Sequence, residues 1–166
     1  MILENLSLIV AITENTNAIG VENNLLYFIK EDMDFFKKKT YNHSIICGRK
    51  TFEGFKIKPL PKRRNIVLTK TNFHFDNVIT FDSLEKLLKL IENEKDEEFI
   101  VCGGESIYKQ LLPYCKKMYI TKIEENENVK ADSFFPKIDE KIWKIVDEKK
   151  GKNENPKLTF LTYERK

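Results

Sequence analysis

Apolar residues in this chain fall into short, nearly continuous runs, separated by polar stretches in which they recur with helical spacing. Leu6–Ile12 (L-S-L-I-V-A-I) is a β-prone run with almost no polar break, the pattern of a strand covered on both faces. Ser44–Cys47, Asn65–Thr69, Phe99–Cys102 and Met118–Ile123 are similar, shorter runs. Between them the period changes. Ile29, Met33, Phe36 and Thr40 stand at i, i+4, i+7 and i+11 and predict a helix over Glu31–Tyr41 with one inward stripe. A short helix is predicted from about Lys50, and a third over Ser83–Ile91, where Leu84, Leu87, Leu88 and Ile91 share a face and Asp82 with Glu85 forms a capping box. A fourth runs from about Glu105 to Leu112 and is stopped by Pro113. Trp143–Val146 and Leu158–Glu164 flank the polar turn G-K-N-E-N-P and read as a hairpin, while E-E-N-E-N at 124–128 reads as a solvated loop. This is an α/β pattern with a mostly parallel sheet and an antiparallel ending.

The stretch from Asn17 to Phe36 joins a loop to a helix. Gly20 and the Asn23-Asn24 pair suit turns and positive φ. Asp32 then stands beside the apolar stripe, close to Phe35 and Phe36. A carboxylate flanked by aromatics on an inward face is costly unless something pairs with it. The plainer alternative is an acid favoured in a first helical turn by the helix dipole.

Composition narrows the function classes. At 166 residues the chain is one domain, large enough to bury roughly 70% of its unfolded surface. Lys+Arg 29 against Asp+Glu 26 leaves a net charge of +3, too balanced for a nucleic-acid binder. Leu6–Ile12 is too short to span a membrane and follows Glu4 rather than a basic region, so neither a span nor a signal peptide is expected. Cys47, Cys102 and Cys115 lack metal or disulfide spacing and read as reduced thiols of a cytosolic protein. His43 and His74 belong to no metal or triad pattern, and no metal site is expected.

Chemistry concentrates at strand-to-helix junctions. In S-I-I-C-G-R-K-T-F (44–52) a strand ends at Gly48, and Arg49, Lys50 and Thr51 open a helix. Free backbone N–H groups with cations and a hydroxyl suit a phosphate, although a basic helix start is common. In F-I-V-C-G-G-E-S-I-Y (99–108) paired glycines after a buried strand let a ligand approach the backbone. The spacing is not GxGxxG and no acidic residue follows about twenty positions on in a suitable strand, which argues against a Rossmann dinucleotide site. A basic turn, P-L-P-K-R-R-N (59–65), precedes another strand.

In order and spacing these segments resemble the dihydrofolate reductase family nearly end to end. The likeness takes in S-L-I-V-A-I, A-I-G-V-E-N-N-L, E-D-M-D-F-F-K, G-R-K-T-F-E, P-L-P-K-R-R-N-I-V-L-T, V-C-G-G-E-S-I-Y-K-Q-L-L-P, Y-I-T-K-I, D-S-F-F-P and T-Y-E-R. The resemblance implies a single central sheet of about eight strands with four flanking helices, residues from about 43 to 95 forming a cofactor-binding subdomain. It implies that Asp32 binds N3 and the 2-amino group of the pterin, with Thr121 hydrogen-bonded to the acid. Ile9, Val10, Ala11, Met33, Phe36, Phe55, Leu60, Cys102 and Tyr108 would line the substrate pocket, and Arg63 would grip the glutamate α-carboxylate. The NADPH side would draw on Ala11, Gly48, Arg49, Lys50, Thr51, Leu68, Thr69, Lys70, Cys102, Gly103, Gly104, Glu105, Ser106, Ile107 and Tyr108. Gly103 and Gly104 match a pair joined by a cis peptide in the family, and Ala18, Ile19 and Gly20 match its mobile loop.

The implied reaction passes a hydride from nicotinamide C4 to C6 of dihydrofolate while N5 gains a proton, yielding tetrahydrofolate for one-carbon metabolism. Asp32 would orient the ring and raise N5 basicity, with the proton arriving through water. A monomer using NADPH and dihydrofolate is the expectation. The chain departs from the family in Leu26-Tyr27 for a Pro-Trp pair, Lys30 for a proline, K-I-K with an added residue before Pro59, and Ser106 where many relatives have arginine. Tyr27 would then supply a hydroxyl where the family's tryptophan holds a water. Two rivals remain: an NADPH-dependent pyrimidine reductase of riboflavin synthesis, which Asp32 and Arg63 disfavour, and a non-catalytic nucleotide-binding relative, which the survival of Asp32 and Thr121 disfavours.

Overall fold

The computed structural model describes residues 1–22, 24–125 and 129–166. Asn23 of the expected turn and 126–128 of the expected loop lie outside the described residues. In chain order the elements are β1 (Leu3–Thr13), β2 (Ala18–Val21), β3 (Asn24–Leu25), α1 (Lys30–Thr40), β4 (Ser44–Gly48), α2 (Arg49–Glu53), β5 (Arg64–Leu68), β6 (Val78–Phe81), α3 (Leu84–Asn93), β7 (Phe99–Val101), α4 (Glu105–Leu111), a 3₁₀ turn (Leu112–Tyr114), β8 (Cys115–Ile123), β9 (Ser133–Phe134), β10 (Trp143–Glu154) and β11 (Lys157–Arg165).

Eight strands form the main sheet in the order β10-β11-β8-β1-β7-β4-β5-β6. All pairings from β8 to β6 are parallel, and β11 joins β8 and β10 antiparallel, as the sequence pattern predicts. From β1 the chain next enters the sheet at β4, and from β7 it returns past β1 to β8. Right-handed crossovers running in opposite directions put helices on opposite faces and open a crevice at the carboxyl ends of β1 and β7. The apolar clusters divide accordingly. Leu87, Ile91, Ile107 and Leu111 of α3 and α4 share one cluster with the central strands, Phe52 of α2 centres a second, and Phe35 of α1 packs on a third with Ile123, Leu158 and Phe160.

Several local expectations are corrected. The inward stripe of α1 departs from the predicted one at Met33, which is 51% exposed; Thr40 is buried and Ile29 and Phe36 half-buried as expected, and Phe35 adds to the inward face against the C-terminal strands. Phe35 stacks on Phe160 with ring centroids 4.6 Å apart. The stretch after β1 is not all loop, since β2 pairs with β3 and β9 in a small second sheet. Among its described residues the left-handed ones are Asn17 and Glu22 rather than Gly20 or Asn24. Gly20 is needed for another reason: a Cβ there would lie 2.7 Å from the Asn24 carbonyl oxygen. Ser83, not Asp82, caps α3, its hydroxyl accepting from Lys86 N, and Asp82 instead pairs with Lys86 Nζ at 3.1 Å. The C-terminal turn is tighter than G-K-N-E-N-P, because β10 continues to Glu154, which pairs with Lys157.

Candidate active site

Asp32 and Glu31 occupy the first turn of α1, whose N-cap, Ile29, has no side chain able to cap it. Burial raises the pKa of Asp32, a hydrogen bond from the Thr121 hydroxyl opposes that rise, and the Glu31 charge adds to it. Thr121 is buried on β8 opposite Ala11 of β1. The structure therefore joins the expected acid to its expected partner. Half-buried and hydrogen-bonded by Thr121, Asp32 is not the ordinary solvated acid of the plainer reading.

The walls of the crevice come from strand ends. Ile9 and Val10 are buried on β1, and the Tyr108 hydroxyl of α4 donates to the Ile9 carbonyl at 2.7 Å. Burial pushes the Tyr108 pKa well up, so this phenol stays a donor. Ala11 and Tyr27 pack with Ile29 and Phe35 on the Ile123–Leu158–Phe160 cluster. Phe55 lies edge-on to Phe52 at 6.0 Å, in a cluster that also takes in Cys102. Cys102 donates its backbone N–H to the Ile46 carbonyl at 2.8 Å. Phe36 is half-buried and passes its carbonyl to the Thr40 hydroxyl at 2.8 Å.

Arg63 leaves the P-L-P turn towards α1. Its Nη1 donates to Thr40 Oγ1 at 3.0 Å, its Nε to the Pro61 carbonyl at 2.9 Å, and its guanidinium lies 4.9 Å from the centre of the Tyr41 ring. The turn is pinned by a residue that sequence reasoning assigned only to a strand. Asn65, 2% exposed, accepts from Leu60 N and donates to the Leu60 and Arg63 carbonyls, all within 2.9–3.0 Å. An asparagine at the mouth of an otherwise apolar run was the available signal, since a buried amide needs partners.

On the other side of the crevice, α2 and α4 both begin at glycine, Gly48 and Gly104, and neither helix has a side-chain cap. Gly48 N donates to the Gly103 carbonyl at 2.9 Å, and a Cβ on Gly104 would lie 3.3 Å from Thr51 Oγ1. The two uncapped helix starts thus face each other, with Gly103 at φ +121° and joined to Gly104 by a cis peptide. Ile107 packs under Gly48, where a Cβ would come within 3.0 Å of its Cγ1. Arg49 pairs with Glu53 at 2.6 Å, while Lys50 and Lys70 are exposed. Leu68 is buried at the end of β5, and Thr69 Oγ1 lies 2.8 Å from Thr71 Oγ1. Ser106 accepts from Gln110 Nε2 at 3.1 Å. The Glu105 carboxylate accepts from Phe134 N, tying α4 to β9. Free N–H groups, hydroxyls and cations gathered at close-approaching glycines are the donor set that a phosphate-bearing nucleotide needs.

Over the mouth, buried Ala18 donates its N–H to Thr13 Oγ1 at 2.8 Å, and half-buried Ile19 packs on the main core. Glu125 accepts from Asn15 N and Thr16 N, both at 3.2 Å. Sequence reasoning missed this contact, because the two residues sit 110 positions apart with no shared pattern. Among the described residues no group of His, Cys, Asp and Glu could hold a metal ion, and no helix is long and apolar enough to cross a membrane.

Fold and crevice together define an α/β protein that holds a desolvated acid on one side of a cleft and a nucleotide-phosphate donor set on the other. The family model described as "Dihydrofolate reductase" matches residues 5–165. A dihydrofolate reductase of Staphylococcus haemolyticus is 42% identical over 164 residues, spanning 96% of this chain and 95% of the relative. One from Bacillus subtilis is 40% identical over 152 residues, spanning 89% and 88%. The solved dihydrofolate reductase of Enterococcus faecalis, complexed with NADP(H) and RAB-propyl, superposes with a TM-score of 0.85 at 33% identity, over 99% of this chain and 98% of that one. The chain belongs to the dihydrofolate reductase family.

Proposed function

We infer that this protein reduces 7,8-dihydrofolate to tetrahydrofolate with NADPH. The observation that carries the reading is Asp32: a desolvated carboxyl group, hydrogen-bonded by Thr121, in the crevice of a dihydrofolate reductase fold. When bound, NADPH supplies the hydride, which goes to C6 of the pterin. Asp32 binds N3 and the 2-amino group, and its charge favours protonation at N5 through water. Thr121 holds the carboxylate in place, and Tyr27 offers a hydroxyl at the rim. Ile9, Val10, Ala11, Met33, Phe36, Phe55, Leu60, Cys102 and Tyr108 shape the wall that excludes water from the ring. Ile19 and Gly20, on the segment over the mouth, close against the cofactor side.

Arg63 takes the glutamate α-carboxylate, and two observations support this. Its Nε and one Nη1 hydrogen are committed to Pro61 and Thr40, which leaves the Nη1/Nη2 fork for a carboxylate. Tyr41 and the Asn65-pinned turn hold the guanidinium still. A ribosylated pyrimidine has no such carboxylate, so the folate reading is favoured. Residues from about 43 to 95 carry β4, β5, β6, α2 and α3 and act as a cofactor-binding subdomain. The free cysteines Cys47, Cys102 and Cys115 support a reducing, cytosolic setting. The test is NADPH absorbance with and without dihydrofolate: oxidation that requires dihydrofolate is expected, and oxidation driven instead by a ribosylated aminopyrimidine would replace this reading with its rival.

A further inference from the structure

The first turn of α1 carries two acids, and the chemistry above uses only one. Glu31 turns away from the crevice and reaches β10. Its carboxylate accepts from Lys152 N, at 2.7 Å and 3.0 Å to its two oxygens, and from Asn153 N at 2.9 Å. These N–H groups are available because the β10–β11 ladder loses register between Lys150 and Glu154. Gly151 lets the bulge approach. A Cβ there would lie 2.6 Å from Glu31 Oε1 and 3.1 Å from both Leu158 and Phe160. An acceptor, two donors freed by a bulge and a residue without a side chain thus meet at one point, one residue from Asp32.

We propose that Glu31 is a positioning residue: by clamping the β10 bulge to the first turn of α1, it fixes where Asp32 stands in the crevice. The clamp works with the Phe35–Phe160 stack one turn further on, so α1 is held to the C-terminal hairpin at two points and cannot roll. The backbone N–H donors keep Glu31 ionised, holding its pKa below the usual carboxylate range, with Lys152 and Lys149 adding to the effect. Glu31 is therefore a fixed negative charge beside Asp32. Among the described residues, Thr121 from β8 hydrogen-bonds Asp32 and Tyr108 from α4 lies within its field, both of them neutral. On its own helix the exposed Lys30 is engaged by Asp34.

The inference rests on Asp32 being the functional acid, and the test separates the two. Glu31→Gln keeps the shape but loses the charge and offers one acceptor where two N–H groups point. Its kcat for dihydrofolate should fall several-fold with a smaller change in KM. The midpoint of the kcat–pH profile should move down, because the Glu31 charge is one of the causes that raise the Asp32 pKa. Gly151→Ala expels the carboxylate without removing its charge, so kcat should fall with a smaller shift of the midpoint than in Glu31→Gln. In a Glu31→Ala background, Gly151→Ala should cost less kcat than it does alone, because the contact it breaks with Glu31 is already gone and only the crowding of Leu158 and Phe160 remains. An unmoved midpoint in Glu31→Gln, or additive losses in the double variant, would overturn the clamp. Asp32→Asn is the control. Full turnover in that variant would overturn the reading of Asp32 and the clamp with it, whereas its inactivity beside an indifferent Glu31→Gln overturns the clamp alone.

Discussion

Asp32 costs the fold something in return for its chemistry. Its folded pKa is raised mainly by burial, so the ionised form is disfavoured by folding. The sign follows: the penalty is absent below the unfolded value of 3.8, grows as pH rises through the folded value, and is fully present above it. Asp32→Asn keeps an oxygen for the Thr121 hydroxyl and removes the charge. It should melt at a higher temperature than the parent at neutral pH, with the gap closing towards pH 3.8, and equal melting at every pH would contradict the desolvation. Turnover should fall by ~10²–10⁴-fold and recover partly as pH falls and the substrate arrives protonated. Arg63 belongs to the same scale. Arg63→Leu should weaken dihydrofolate and methotrexate by about one to two powers of ten, from ~1.5–3 kcal/mol for a charged hydrogen bond. Diaminopyrimidine inhibitors without a glutamate should lose little. Equal weakening of both inhibitor types would mean that the Arg63–Thr40 contact holds the pocket up rather than binding substrate. The sequence made Asp32, Thr121 and Arg63 legible because residue type, order and spacing match a family pattern. Asn65 and Glu31 were not legible, because what they do depends on backbone groups brought to them by a turn and a bulge.

At the scale of elements, long apolar runs were readable and short polar ones were not. β1, β4, β5, β7 and β8 are buried strands, and their composition announces it. β2, β3, β6 and β9 have two to four residues each and are half-exposed, so no periodicity can mark them. Only the continuation of β10 beyond Val146 escaped, for the same reason: from Lys144 to Lys150 every residue is exposed, as an edge strand allows. The cofactor side shows what placement adds to a motif. The family resemblance implies that Arg49, Lys50 and Lys70 converge on the 2′-phosphate that NADPH has and NADH lacks, yet Arg49 is paired with Glu53 across one turn. A phosphate must compete for it. NADPH should win over NADH in kcat/KM, charged hydrogen bonds contributing ~1.5–3 kcal/mol each. Lys50→Ala should erode that preference more than Arg49→Ala, and Glu53→Gln should widen it by releasing Arg49. If Arg49→Ala and Lys50→Ala erode it equally, the Glu53 pair is too weak to matter; equal use of NADH by the parent would place the phosphate elsewhere.

At the scale of the molecule, the question is how the part carrying β4, β5 and β6 is joined to the rest. The ladder between β4 and β7 has three registered pairs, Ser44–Phe99, Ile45–Ile100 and Ile46–Val101, against eight between β1 and β8. The chain enters this part at Asn42, whose φ of 64° marks a sharp turn, and leaves it beyond α3. There a single side chain from β1 gathers the exit. Asn5 is 8% exposed, and its Nδ2 donates to the carbonyls of Ile91, Glu94 and Glu97 at 3.0, 2.9 and 3.1 Å. The last carbonyls of a helix have no partner within it, so Asn5 satisfies α3 from outside and fixes its end against the central strand. Arg64 adds a second tie, holding Glu94 and Ser44 together from β5. Asn5→Ala should therefore cost about 1–3 kcal/mol of stability, the penalty for leaving buried acceptors unpaired. Its effect should also be regional. Amide hydrogens of β4, β5 and β6 should exchange faster relative to those of β8 and β1, and bound NADPH should restore more of the lost protection than methotrexate does. Asn5→Asp replaces the amide donor with a charged acceptor facing three carbonyls and should be worse than alanine at neutral pH. Hydrogen exchange read by mass spectrometry decides the matter: uniform loss of protection across the sheet would mean that Asn5 is a local cap and that residues 43–95 do not move as a unit.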